Sequence, residues 1–157
     1  MQVSHLDLRD NHLEEIAENA FLGLENNLKE LRLDNNRFLH FPLSAVKILK
    51  KLQVLSLAQN SIDDVSGSGF TKLASIHVLD LGTNRFVRLT RRTLAPFPNL
   101  KRLSMASNGL LEVGSGALDD CQHLESLDLS HNSLSILPSD IFARSRRIKV
   151  VNLSWNR

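Results

Sequence analysis

Apolar positions along the chain return in a fixed frame: apolar-x-x-apolar-x-apolar-x-x-Asn-x-apolar. The frame opens at Val3, Leu28, Leu52, Ile76, Leu100, Leu124 and Ile148, a spacing of 25 and then 24 five times. An asparagine closes each copy: Asn11, Asn36, Asn60, Asn84, Asn108, Asn132 and Asn156. In one copy, "LDLGTNRF" (79–86), alternation puts Leu79 and Leu81 on one face of a short strand and Asp80 and Gly82 on the other. Seven frames with seven asparagines make an internal repeat, the feature to settle before any other.

The remainder of each unit is periodic as well. Behind the strand come Leu13, Phe38, Ile62, Phe86, Leu110 and Leu134, then Ile16, Phe41, Val65, Leu89, Val113 and Leu137. A third column holds Phe21, Val46, Phe70, Leu94, Leu118 and Phe142, and a fourth Leu24, Leu49, Leu73, Phe97, Cys121 and Ser145. One three-residue strand cannot bury an apolar face alone. Stacked on its neighbours it forms a parallel sheet, and the later columns close the core behind it. Replacing one such core leucine by alanine is expected to cost about 2–5 kcal/mol. Gly- and Ser-rich stretches such as "VGSGALDDCQH" read as turns. The best helical candidate is "DIFARSRRI" (140–148), followed by "NAFLGLENN".

The recurrent asparagine sits where each strand ends and the backbone bends inward, leaving N–H and C=O groups without ladder partners. An amide side chain both donates and accepts, so it can satisfy them, and stacked amides can run along the coil. These seven residues therefore read as a structural ladder and not as a ligand site.

This grammar resembles the leucine-rich repeat family over essentially the whole chain. The 24-residue unit, with Leu137–Pro138 and Phe41–Pro42, is similar to its typical extracellular subclass. The resemblance implies an α/β right-handed solenoid curved as a horseshoe. Short parallel strands would line the concave face, with turns and short helical pieces on the convex side. Residues 1–157 form a single array of about seven repeats, the last partial. Cys121 and Ser145 depart from the leucine that the family places there. No terminal cap is visible, so the expectation is an internal portion of a longer array.

Composition changes this picture little. The single cysteine, Cys121, rules out an internal disulfide, and no run reaches the roughly 18 apolar residues of a membrane span. Net charge is +2, but residues 1–34 carry three bases and eight acids (−5) and residues 35–157 carry sixteen and nine (+7). Between Leu81 and Leu111 lie Arg85, Arg88, Arg91, Arg92, Lys101 and Arg102 with no acid. Such a run can attract a polyanion; here it reads as a solvated face, and no nucleic-acid partner is expected. The histidines His5, His12, His40, His77, His123 and His131 have no metal-ligand spacing. "SAVK" (44–47) matches a Ser-x-x-Lys pattern without its companion motifs. No enzyme chemistry and no cofactor are predicted.

A binding role is expected for the strand face that the core does not use. Val54 and Val78 run down its centre, then Ser56, Asp80 and Ser104, then Ala58, Gly82 and Ala106, with Gln53, His77, Lys101 and Arg102 as a flanking margin. Trp155, at the far end, is its one aromatic residue, and Asn152-Leu153-Ser154 is a sequon that could carry a glycan in a secreted chain. The resemblance implies a protein-recognition module of an extracellular, cell-surface protein, with any membrane attachment outside this sequence. Cell adhesion, including contacts between copies of the same protein, is the first expectation. A Toll-type receptor ectodomain is the alternative, and an intracellular scaffold a third.

Overall fold

A computed structural model describes residues 2–65 and 71–157. Seven three-residue strands form one parallel sheet: β1 (His5–Asp7), β2 (Glu30–Arg32), β3 (Val54–Ser56), β4 (Val78–Asp80), β6 (Arg102–Ser104), β8 (Ser126–Asp128) and β9 (Val150–Asn152). Each strand pairs with the next in sequence order, and the register aligns Leu31, Leu55, Leu79 and Leu103 as direct neighbours. The leucine-rich repeat solenoid expected from the repeat is therefore the observed fold.

Core and face separate as the alternation requires. Leu31, Leu55, Leu79, Leu103 and Leu127 are buried, as are their companions Leu33, Leu57, Leu81, Met105 and Leu129. Phe38, Ile62, Phe86 and Leu110 close the core behind the bend, and Phe41 meets Phe97 edge to face at 5.9 Å. In the first and last turns Val3, Leu6, Leu8 and Leu153 are partly buried, as befits turns with a described neighbour on one side.

The convex side differs from expectation. The helices are single turns elsewhere: α1 (Leu43–Val46), entered through Pro42, and α2 (Arg91–Leu94), where Thr93 Oγ1 accepts the Thr90 N–H. Neither predicted helical segment forms one. In 140–148 the bonds run three residues back, from Ala143 N to Asp140 O and from Ser145 N to Phe142 O, and the Asp140 carboxylate accepts from Ser115 in the preceding turn. In "NAFLGLENN" the same three-residue steps occur, and Gly23 at φ +86° ends any helical path. A further sheet of two strands, β5 (Arg88–Leu89) and β7 (Glu112–Val113), lies behind the bend.

The third apolar column holds with one correction. Phe142 is exposed, and the turn is anchored by Ile141 alone, whose equivalents Ala45, Thr93 and Ala117 are buried as well. Phe70 lies outside the described residues. At the family's leucine positions Cys121 and Ser145 are both buried. The Cys121 thiol lies 3.5 Å from Phe97 O, whereas the Ser145 hydroxyl has no hydrogen-bond partner.

Candidate protein-interaction face

The bend that ends each strand is built from two adjacent residues. The first takes a left-handed backbone in all seven turns: Asp10, Asn35, Gln59, Thr83, Ser107, His131 and Trp155, at φ 51° to 58°. None is glycine, so each bears the steric cost of that region. Bonds to the next turn hold the first six, Thr83 N to Ala106 O at 2.8 Å being typical. The sequence offered no signal for this column, because its residue types share no conformational preference.

The second is the asparagine. Asn84 Nδ2 donates to Leu57 O of the preceding turn at 2.9 Å and to Leu81 O of its own at 3.1 Å, and its Oδ1 accepts from Ile62 N at 2.9 Å. Asn36, Asn60, Asn108, Asn132 and Asn156 repeat this bridge. Asn11, in the first turn, bonds only to Leu8 O and Arg9 O of its own turn. The side-chain amides bridge backbones of successive turns and do not bond one another.

This anchoring turns the sheet's outer face into columns of residues one repeat apart. Gln53, His77 and Lys101 form one column. Val54, Val78 and Arg102 form the next, because Arg102 pairs with Val78 in the sheet. Arg102 thus sits in the central column and not in the margin where the sequence reading placed it; the strand begins one residue after Lys101. Ser56, Asp80 and Ser104 follow, then Ala58, Gly82 and Ala106. Gly82 is buried, and a β-carbon there would lie 3.1 Å from Asp80 Oδ1 and 3.4 Å from Ala106 O, so this stretch is shallow and closely packed. Asp80 Oδ1 accepts from Gly82 N, Asp128 Oδ1 from Ser130 N and Asn152 Oδ1 from Ser154 N, so these outward carbonyl and carboxylate groups are already held by the backbone.

Charge is graded along the face. At its first strands the acids are paired in place. Asp7 binds Arg9 at 2.7 Å, and that guanidinium lowers the Asp7 carboxyl to about 2. Glu30 is flanked by Arg32 and by His5 at 3.6 Å. Among the described residues Lys101 and Arg102 have no ion-pair partner, while Lys149 reaches Glu125 at 3.3 Å. His77 is held below its ordinary pKa, first by partial burial and then by the Lys101 and His123 charges. At the far end Trp155 is exposed and stacks on His131, with centroids 5.5 Å apart and rings 8° from parallel.

The basic run from 81 to 111 does not form one patch. Arg91 is held bidentate by Asp120 at 2.8 Å and Arg88 lies 3.3 Å from Glu112, both on the back of the coil, while Lys101 and Arg102 face the concave side. Elsewhere chemistry is sparse. Lys47 of "SAVK" pairs with Glu18 at 2.6 Å, and burial pushes the Cys121 thiol up to about 12. Among the described residues no three His, Cys, Asp or Glu side chains are grouped to hold a metal ion, and no helix is long and apolar enough to cross a membrane.

No curated protein matches the sequence significantly. Among solved structures, the TLR13 chain of a TLR13–ssRNA13 complex is 31% identical, with a TM-score of 0.91. The match covers 98% of the present chain but 21% of TLR13, so the chain spans about a fifth of that protein. The leucine rich repeat family model matches residues 26–86 and 98–157, well over half of the sequence. With the stacked strands and the asparagine bridge, this establishes that the chain belongs to the leucine-rich repeat family.

Proposed function

We propose that the concave sheet is a protein-recognition face of an extracellular cell-surface protein of the typical 24-residue subclass, and that its role is adhesion. One observation carries this reading: the sheet is continuous over seven strands and, apart from the exposed Arg102, its centre is lined mostly by small, half-buried side chains. A broad, shallow surface of that kind suits another protein's surface better than it suits a small ligand, which needs a concave pocket. Specificity then falls to the unpaired Lys101 and Arg102, which fit an acidic patch on the partner and speed its approach.

Area bounds the role. Six strand spacings of about 4.8 Å by five residues of about 3.3 Å give about 460 Å², against about 800 Å² per partner in a standard interface. The face therefore supplies part of a contact and acts with further surface. Partners are the same protein or another cell-surface protein. A glycan on Asn152 would cover the β9 end and leave the centre open.

The TLR13 match supports a second reading, a Toll-type receptor ectodomain, for which single-stranded RNA is the ligand class to test. The experiment displays the chain on non-adherent cells and scores aggregation, beside RNA anisotropy titrations of the purified chain. Under the adhesion reading, displaying cells aggregate with one another or with a partner line. Ala58→Glu with Ala106→Glu, which point away from the core and repel an acidic partner, abolishes it. Tight RNA binding lost in the same variant moves the function to the receptor reading. Aggregation that survives the variant removes the concave face from the mechanism.

A further inference from the structure

On the convex side, away from that sheet, the turns 122–123 and 143–147 of two successive repeats enclose a surface pocket of about 510 Å³. Its lining is Gln122, His123, Ala143, Arg144, Arg146 and Arg147, with no acidic residue. Lys149 adds a fourth cation within six residues of sequence. The nearby carboxylates are engaged. Asp120 grips Arg91, Asp119 lies 3.6 Å from Arg144 Nε, and Glu125 takes Lys149 at 3.3 Å. Among the described residues Arg146 and Arg147 have no ion-pair partner, and both are exposed.

Two unpaired guanidiniums beside a third repel one another, which an anion would relieve, and an imidazole and a primary amide add hydrogen-bond donors. Guanidinium forks match the tetrahedral oxygens of sulfate or phosphate through paired, charge-assisted bonds. The volume falls in the range of small-ligand sites. No Phe, Tyr or Trp side chain lines the pocket, and Trp155 belongs to a separate one with Leu134, Ile136 and Leu153. Beyond the His123 imidazole, a single-stranded nucleic acid would find no large aromatic ring to stack on here. A sulfated sugar, with closely spaced anions and no flat base, needs none.

We propose that this pocket binds sulfate groups of an anionic polysaccharide, through Arg146 and Arg147 with His123 and Gln122 as further donors. The site is independent of the concave face and of the role assigned to it.

The test uses the full chain on immobilised heparin under a NaCl gradient, with solution titrations of a heparin hexasaccharide and of single-stranded RNA of equal charge. Arg146→Ser with Arg147→Ser is compared with Arg85→Ser with Arg92→Ser, which removes the same charge from other exposed positions. Circular dichroism melts confirm that both variants stay folded. The first variant is expected to weaken hexasaccharide binding about tenfold or more, and to lower the slope of log affinity against log salt by about 2. The second should change affinity less than about twofold. Equal losses in both variants would reduce the effect to diffuse net charge and overturn the site. RNA bound more tightly than the hexasaccharide through the same arginines would overturn the ligand class. Elution of the parent chain below physiological salt would overturn both.

Discussion

Replacing Asn84 by alanine tests the bridge that carries the fold. The amide makes four bonds in a buried setting: Nδ2 shares its two hydrogens among Leu57 O, Leu81 O and, at 3.2 Å, Gly82 O, and Oδ1 accepts from Ile62 N. The Leu57 and Leu81 carbonyls keep a second partner, since Asn60 also donates to Leu57 O and Asn108 to Leu81 O. Each of those losses is a net hydrogen bond of about 0.5–1.5 kcal/mol. The Ile62 N–H keeps no partner and lies beside a fully buried side chain, so stranding it adds about 1–3 kcal/mol. The sum, about 2–6 kcal/mol, is a large share of the stability of a small domain. The assay is urea unfolding of the parent chain, Asn84→Ala and the control Asn11→Ala, together with amide exchange at Ile62. Asn11 is exposed and touches only its own turn, so its loss is expected to cost under about 1 kcal/mol. Equal shifts for the two asparagines, or an Ile62 amide whose exchange is unchanged relative to its neighbours, would refute the bridge as the source of stability.

Thr83 is β-branched at φ 51°, where Asn35 occupies the equivalent turn at φ 52°. Thr83→Asn should therefore raise the stability of the chain by about 1 kcal/mol, read as a higher melting temperature. Ser145→Ala removes a buried hydroxyl that has no partner and should also stabilise, by about 1 kcal/mol; a lower urea midpoint would show that the hydroxyl is satisfied in solution. The buried Cys121 thiol, at about 12 against an ordinary 9.0, should resist thiol reagents at pH 8 until the chain unfolds. Its linkage has a definite sign. The folded state holds the proton while the unfolded thiol loses it, so stability is unaffected below pH 9 and falls between 9 and 12, by at most about 1.4 kcal/mol per pH unit. Cys121→Ala should flatten that alkaline limb in urea titrations against pH.

The fold was legible because the repeat states the same physical demand seven times. Strand positions, core columns and the asparagines could each be placed from one frame. The convex side was less legible. A four-residue helix at Leu43–Val46 or Arg91–Leu94 leaves no helical period to read, whereas "DIFARSRRI" has apolar spacing without the path length to complete a helix. Phe142 was misplaced because its column is buried in the middle repeats, whereas here only the preceding column, held by Ile141, reaches the core. The left-handed column was invisible, because its seven residue types share only their place before the asparagine.

Electrostatics was misread for a different reason, and it bears on what the face can recognise. In a solenoid a residue's spatial neighbours lie about one repeat away, so charges that are consecutive in sequence disperse and charges in successive repeats meet. Arg88 finds Glu112, Arg91 finds Asp120, Arg144 approaches Asp119 and Lys149 meets Glu125, all 24 to 29 residues apart. The run from 81 to 111 is accordingly half neutralised on the back, while the short set from 144 to 149 concentrates Arg146 and Arg147 in one pocket. On the front Lys101 and Arg102 stay unanswered because the carboxylates of their columns are taken: Glu125, one repeat after Lys101, holds Lys149, and Glu30, three repeats before Arg102, holds Arg32. Whatever docks at the centre of the sheet must bring its own carboxylate.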